Sequence, residues 1–491
     1  MRDILEKYQQ RWLTILETLY FTDEWTTISS LSKALNCSER TIKQDIVSLR
    51  QLVSIDYLHT SQKGVCLSLP SDTNIETIFR TLLKESTNFK LLELLFHNEN
   101  KTLKQIAELL YVSPATLTRM IKKINLSLNR FSLHIQINPC QIIGPEFNIR
   151  ALYINYFMEL YTHEEWPYPT IDQKFFENFI IIAATFVHFK LNFSDFARVK
   201  HWTAVSLIRA QHGHYDEIKE NRLTDYIPDV SKFRLILKPL ETKMNISFQP
   251  QFIEQVFSIF LNNDFLFSYN DLMEKAAKNP KTNKSLNSLS VLLETLSKKT
   301  AIPIPNKEHL LLDMYNISNL AARRDKETPK VASIIFDQKE FFIRSLEKNI
   351  PDFVELARKQ LEWYQKKTDV IFSHEAINEL IYTLVIHWEH LLIELNQQRK
   401  KAKLLIVSIY DLEHARMIRD IIDIHYPNDV VSEIYLEPRL SLKQLKKLDY
   451  NILITTVPFD SLPNKKVICI PILPTKRELK ELKEAILEIR N

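Results

Sequence analysis

One arrangement in this sequence occurs twice, 75 residues apart, and it limits the fold more than any other feature. From Thr27 to Leu52 the chain reads TISSLSKALNCSERTIKQDIVSLRQL. Ile28, Leu31, Ala34 and Leu35 make one helical apolar face, and Ile42, Ile46, Leu49 and Leu52 make another. The break between them is Asn36-Cys37-Ser38, where Ser38 is placed to accept a backbone N–H as the N-cap of the second helix. This spacing predicts a helix-turn-helix. The following IDYLHTSQKGVCLSL reads as two strands around Gln62-Lys63-Gly64, a hairpin wing. In TLKQIAELLYVSPATLTRMIKKINLSL the pattern returns: Leu35 aligns with Leu110, Ser38 with Ser113, Thr41 with Thr116 and Ile46 with Ile121. Pro114 takes the first helical position, where its missing N–H is harmless, and LHIQINPCQIIG supplies a second hairpin.

In such units the start of the second helix enters the major groove of DNA, so side chains there that face away from the apolar stripe reach base edges or phosphates. The candidates are Ser38, Arg40, Thr41, Lys43 and Gln44, with Lys63 on the wing, in the first copy. In the second they are Ser113, Thr116, Thr118, Arg119, Lys122 and Lys123. The net charge of +4 over 491 residues does not announce a nucleic-acid binder, but distribution matters more. Between Ser113 and Arg150 the basic residues Arg119, Lys122, Lys123, Arg130 and Arg150 face one acid, Glu146, which predicts a positive patch.

Glycine scarcity removes whole classes of enzyme. The chain has three glycines, Gly64, Gly144 and Gly213, whereas the dinucleotide fingerprint, the P-loop and the nucleophile elbow each need several close together. No enzyme and no cofactor are expected. Cys37, Cys66, Cys140 and Cys469 form no C-x-x-C pair, so neither a metal site nor a disulfide framework is predicted, and the compartment is expected to be reducing. The start MRDILEKYQQRW lacks the apolar core of a signal peptide, and the longest apolar run, Phe179 to Val187, is far short of a membrane span. A cytoplasmic protein that does not engage membrane is expected.

From about Thr170 to Gln398 helical periodicity dominates, interrupted by polar stretches at Glu274–Ser288 and Ala321–Lys330. VKHWTAVSLIRAQHG around His201 parallels KEHLLLDMYNISNLAAR around His309, each with a His just before an apolar helical stretch that ends in Arg. NELIYTLVIHWEH ends near His387, eight residues after Glu379. After Arg399-Lys400-Lys401 the composition changes to alternating strands (KLLIVSI, VVSEIYL, LDYNILITTV, KVICIPI) and helices, which predicts a mainly parallel sheet with covered faces.

This order resembles the Mga/AtxA family of transcription regulators, on the tandem helix-turn-helix units, the His-before-helix modules and the E-x-x-Y-x-x-x-x-H helix. The resemblance implies a mainly α, multidomain fold. It comprises a first winged helix-turn-helix at 1–70, a second at 71–165, helical-bundle regulation domains at 166–285 and 286–398, and a small α/β domain at 402–491 similar to enzyme IIB components. It further implies double-stranded DNA at promoters as ligand, dimerisation or higher homo-oligomerisation, and phosphorylation by the phosphocarrier protein of the sugar phosphotransferase system. Carried over, the phosphoacceptors are His201, His309 and His387, with Arg209, Arg323 and Arg324 as residues that respond to the new charge. The first module departs from the pattern, since Glu254 is followed eight residues later by Asn262 in place of His. In the C-terminal domain the loop Ser408-Ile409-Tyr410-Asp411 holds no Cys, which leaves association through Tyr410 or the next helix as the expected role. Two other readings stay open: an RNA-binding antiterminator, and a phosphotransfer component that passes phosphate onward.

Overall fold

The computed structural model describes the chain except residues 23, 54–56, 187–191, 217–237, 239–240, 243–253, 257–265, 267, 322–330, 332, 459–461 and 491. Contacts divide it into two units. One consists of Met1–Ser288, Leu312–Ser345 and Glu362–Tyr382; the other consists of Leu289–Leu311, Leu346–Leu361 and Thr383–Asn491. The fold is mainly helical, with two antiparallel hairpins and one four-stranded parallel sheet among the described residues. No described helix is long and apolar enough to cross a membrane.

The first unit opens with α1 (Lys7–Thr22), α2 (Ile28–Ala34) and α3 (Glu39–Leu52), then the hairpin β1 (Leu58–Ser61) and β2 (Gly64–Leu67). Thr27 and Ser38 cap α2 and α3, accepting from the N–H of Ser30 and Thr41 at 3.1 Å each. Leu31, Ile42, Ile46 and Leu49 are buried, as their helical spacing requires. The wing is tied to the helices by a bridge between Thr26 and Val65, whose two backbone bonds are 2.8 and 2.9 Å. Gly64 makes that approach possible. It sits at φ +119°, and a Cβ there would lie 2.1 Å from the Thr26 carbonyl oxygen.

After α4 (Ile75–Glu85) and α5 (Thr87–His97) the motif repeats as α6 (Leu103–Leu109), α7 (Pro114–Leu128), β3 (His134–Ile137) and β4 (Cys140–Ile143). Thr102 and Gln105 form a capping box on α6, and Ser113 caps α7 by accepting from the Thr116 N–H at 3.1 Å. Ile106, Leu117, Ile121 and Ile124 are the buried face. The Cys140 N–H donates to the Lys101 carbonyl at 3.0 Å, so the bridge between wing and helix start also recurs 75 residues on.

Helix α8 (Glu146–Leu160) is buried around most of its circumference, and its sequence accordingly lacks a polar stripe. It is followed by α9 (Gln173–Phe186) and α10 (Phe193–Gln211), and one apolar core runs from Ile4 through α8 and α10 to Ile334 and Phe341. Near the end of α8 the Glu159 carboxylate accepts backbone bonds from Ile334, Ile335 and Phe336. Further helices span Tyr269–Lys278, Pro280–Thr300, Lys307–Ala321, Gln338–Asn349, Pro351–Thr368 and His374–His387.

The second unit contains the parallel sheet, made of β5 (Ala402–Val407), β6 (Val430–Ile434), β7 (Ile452–Thr455) and β8 (Lys466–Cys469) in the order β6-β5-β7-β8. Strand alternation feeds two cores. Leu404 and Ile406 pack with Ile418, Ile422 and Ile486 on one face, while Leu405 and Val407 pack with Leu445 and Leu453 on the other. The helices Leu412–His425 and Lys476–Arg490 cover the first of these faces.

Candidate nucleic-acid interface and histidine sites

On α3 the apolar stripe faces inward and leaves Ser38, Arg40, Lys43 and Gln44 exposed, with Thr41 half-buried; Lys63 is exposed at the wing tip. Thr41 shares a hydrogen bond with the capping Ser38 hydroxyl at 2.9 Å, so its side chain is already part of the helix start. What fixes α3 is Asp45, which is buried and accepts from Arg11 at 2.7 and 3.0 Å and from the Trp12 indole at 2.9 Å. Three donors on α1 thereby hold the helix at a set angle while its opposite face stays open. The bidentate guanidinium is the stronger part of that clamp.

The second copy is fastened differently. Ser113 is exposed and Thr116 half-buried, and their hydroxyls lie 2.9 Å apart, as in the first copy. Arg119 and Lys122 are exposed; Thr118 donates to the Pro114 carbonyl at 2.9 Å. Lys123 departs from the expectation. Its Nζ donates to Glu6 at 2.7 Å and to the Leu5 carbonyl at 3.0 Å, so it docks α7 on the N-terminal segment. Glu6 is correspondingly held below the usual carboxylate range, chiefly by the bond from Lys123.

The expected positive patch between Ser113 and Arg150 is therefore smaller than its composition. Arg130 pairs with Asp3 at 2.8 Å, and Arg150 is buried against Glu146 at 3.0 Å and the Gln255 carbonyl at 2.5 Å. Three of the five cations are paired with carboxylates, Arg150 in the interior and Lys123 and Arg130 nearer the surface, and the charge that α7 offers to solvent comes chiefly from Arg119 and Lys122.

His201 lies on α10 and is only 5% exposed. Its Nδ1 shares a 2.8 Å hydrogen bond with the Tyr168 hydroxyl. Burial, reinforced by the adjacent Lys200 charge, brings the imidazole pKa down to about 4, while burial pushes the Tyr168 phenol well up. Both groups are neutral at physiological pH. Either the phenol or Nδ1–H is the donor, according to the imidazole tautomer. At the end of the same helix Arg209 is also buried, bound to Glu99 at 2.5 Å and to Glu146 at 3.0 and 2.6 Å. His214 reaches Glu99 at 2.7 Å. Burial pushes Glu99 up, but the bond from His214 and the Arg209 charge outweigh it and hold the carboxyl low. Arg209 is thus already engaged by two buried carboxylates. Arg323, Arg324 and Asn262 lie outside the described residues.

His309 and His387 come together in the second unit, with ring centroids 6.4 Å apart. His309 is exposed and His387 half-buried. The helix end carrying His387 is pinned by Asn306 donating to the His387 carbonyl at 2.8 Å and by the buried Trp388 indole donating to the Pro303 carbonyl at 3.0 Å. The two imidazoles thus lie side by side, that of His309 open to solvent.

In the C-terminal domain, Ser408 Oγ lies 2.9 Å from His414 Nδ1 and the Ile409 N–H donates to Thr456 at 2.9 Å. Ile409, Tyr410, Leu412, Ile472 and Leu473 are exposed, whereas Cys469 ends β8 outside that loop. Two features escaped the sequence reading: the ionic cluster at Glu99, Glu146 and Arg209, and Tyr111, an exposed aromatic in the turn before α7. The first could not be read from order along the chain; the second was visible as the Tyr that stands where the first copy has Asn36.

Comparison with known proteins gives three matches in sequence order. Residues 6–65 match the M protein trans-acting positive regulator (MGA) HTH domain, residues 71–157 the Mga helix-turn-helix domain, and residues 173–391 the MGA PRD domain. A protein of Streptococcus pneumoniae serotype 4 named as a trans-acting regulator is 29% identical over 473 residues, covering 95% of each chain. The capsule synthesis positive regulator AcpB of Bacillus anthracis is 26% identical over 50% of this chain and 52% of its own length. The anthrax toxin expression trans-acting positive regulator of the same organism is 24% identical over 35% of this chain and 36% of its own.

Proposed function

The chain belongs to the Mga family of trans-acting positive regulators, and from that premise we propose how its parts divide the task of a DNA-binding transcription regulator. Helices α3 and α7 each enter a major groove. Arg40, Lys43 and Gln44, with Lys63 on the wing, make the contacts of the first copy, and Arg119 and Lys122 those of the second. Ser38, Thr41, Ser113 and Thr116 shape the helix starts, whose backbone N–H groups face phosphate. The observation that carries this reading is the pair of capped helices with cations on their exposed faces, each backed by its own wing.

His309 and His387 are the sites that accept phosphate from the phosphocarrier protein, a role supported by the exposure of His309 and the proximity of the two rings. His201 is shielded by Tyr168 and accepts only when α10 lifts from its pocket. The charge that phosphate brings, close to two units, acts on the interface between subunits. That interface lies on the C-terminal α/β domain, around Ile409, Tyr410 and Ile472, which supports a homodimer. The divisions 1–70, 71–165, 166–285, 286–398 and 402–491 serve as the functional parts, and the cytoplasm is the place of action.

The test is binding of the full chain to a duplex spanning its own upstream region, followed across a salt series. With about six to ten phosphate contacts the affinity falls by roughly a thousandfold or more between ~50 and ~200 mM salt. Arg119→Ala combined with Lys122→Ala weakens binding and flattens the salt slope. A slope that stays unchanged removes α7 from the interface.

A further inference from the structure

Tyr111 occupies the turn between α6 and α7, two residues before the Ser113 cap. It is 96% exposed, the most exposed large hydrophobic side chain among the described residues. Its backbone is left-handed, with φ +55°. The turn itself is made by the main chain: the Tyr111 N–H donates to the Glu108 carbonyl at 3.1 Å, and the Val112 N–H to the Ala107 carbonyl at 3.0 Å. Its phenol hydroxyl makes no hydrogen bond among the described residues.

The first copy shows what this position needs structurally. There Asn36 stands at φ +48°, and its N–H donates to the Lys33 carbonyl at 3.3 Å. Asn tolerates the left-handed region because its short polar side chain interacts locally, whereas a bulky aromatic is an outlier there. Tyr111 adds strain and exposed apolar area while contributing nothing to the turn. An aromatic side chain held in a strained backbone region and left almost wholly in solvent points outward.

Resting on the reading of α7 as a groove-entering helix, we propose that Tyr111 is a DNA-contacting residue of the second copy: its hydroxyl donates to a backbone phosphate at the groove edge and its ring packs on the adjoining sugar. Tyr is among the side chains that bind phosphate oxygens, and the turn before a recognition helix borders the strand that the helix enters beside. The exposed cations Lys104, Arg119 and Lys122 on the two helices flanking the turn match the charge of that ligand. The contact positions the helix and carries no base preference of its own. The two copies consequently hold DNA unequally, the second having an aromatic anchor where the first has a small amide.

The experiment uses the full chain and the upstream duplex with Tyr111→Asn, Tyr111→Phe and the Arg119→Ala/Lys122→Ala pair. Tyr111→Asn installs the residue of the first copy, so its melting temperature is expected to equal or exceed that of the parent while DNA binding weakens about tenfold. Tyr111→Phe retains the fold and the ring and loses the share due to the hydroxyl. Binding of Tyr111→Asn within about twofold of the parent, while the Arg119/Lys122 pair binds poorly, overturns the proposal and leaves the α7 reading intact. Parental binding by all three variants overturns both. Parental DNA binding with lost promoter output assigns the ring to a protein partner and also overturns it.

Discussion

The two winged units share a backbone plan and differ in how each recognition helix is fastened. Both begin at a Ser cap with a Thr three residues on, and both tie the wing by a backbone hydrogen bond to the residue before the first helix's cap. In the first, Asp45 pulls α3 onto α1 through Arg11 and Trp12. In the second, the aligned position is Met120, and the helix is held one turn lower by Lys123 on Glu6. A duplicated motif preserves the local rules that make it fold, namely caps, apolar spacing and the wing bridge. The anchoring chemistry is free to diverge because it depends on whichever neighbour each copy happens to meet.

The comparison breaks most visibly at the wings. Gly64→Ala forces a Cβ into the Thr26 carbonyl at an unfavourable φ, and is expected to cost roughly 3–5 kcal/mol, read as a large drop in thermal midpoint. The second wing has Pro139 at the aligned position, so this dependence on glycine belongs to the first wing. Next come the anchors. Asp45→Ala strands the Arg11 and Trp12 donors and costs about 2–3 kcal/mol in chemical denaturation, against about 1 kcal/mol for Met120→Ala, which removes only half-buried apolar contact. Equal losses at the two positions would erase the distinction. The caps sharpen the likeness: Ser38→Ala and Ser113→Ala are each expected to lose about 1 kcal/mol, and by the same amount. The smallest effect belongs to Lys123→Met. Its partly exposed ion pair is worth under about 1 kcal/mol, and DNA affinity should stay within roughly twofold of the parent, unlike Lys122→Ala.

What was legible in the sequence follows the range of the interaction. The two helix-turn-helix breaks could be placed from Ser38 and Ser113 because a cap and its N–H partner lie three residues apart. The parallel sheet could be read from alternation, and the absence of a Cys in the Ser408–Asp411 loop from the sequence directly. The electrostatic surface could not. Lys123 finds Glu6 at a separation of 117 residues and Arg130 finds Asp3 at 127, so a patch counted along the chain included cations that the fold consumes. His201 was similarly opaque, since Tyr168, 33 residues earlier, is what covers it. Conversely, His309 and His387 carried no sign of their nearness, because only the packing of two helix ends brings the rings together.

The charge cluster closed by Arg209 has a consequence for how the molecule comes apart. Arg209 holds Glu99, which follows α5, and Glu146, which begins α8 and is shared with Arg150. Severing any one of these pairs strands a dry ion, so partial fraying at this junction is disfavoured relative to concerted release. Amide protons in α8 and α10 should accordingly exchange with deuterium through a common opening event, the two helices behaving as a single cooperative element.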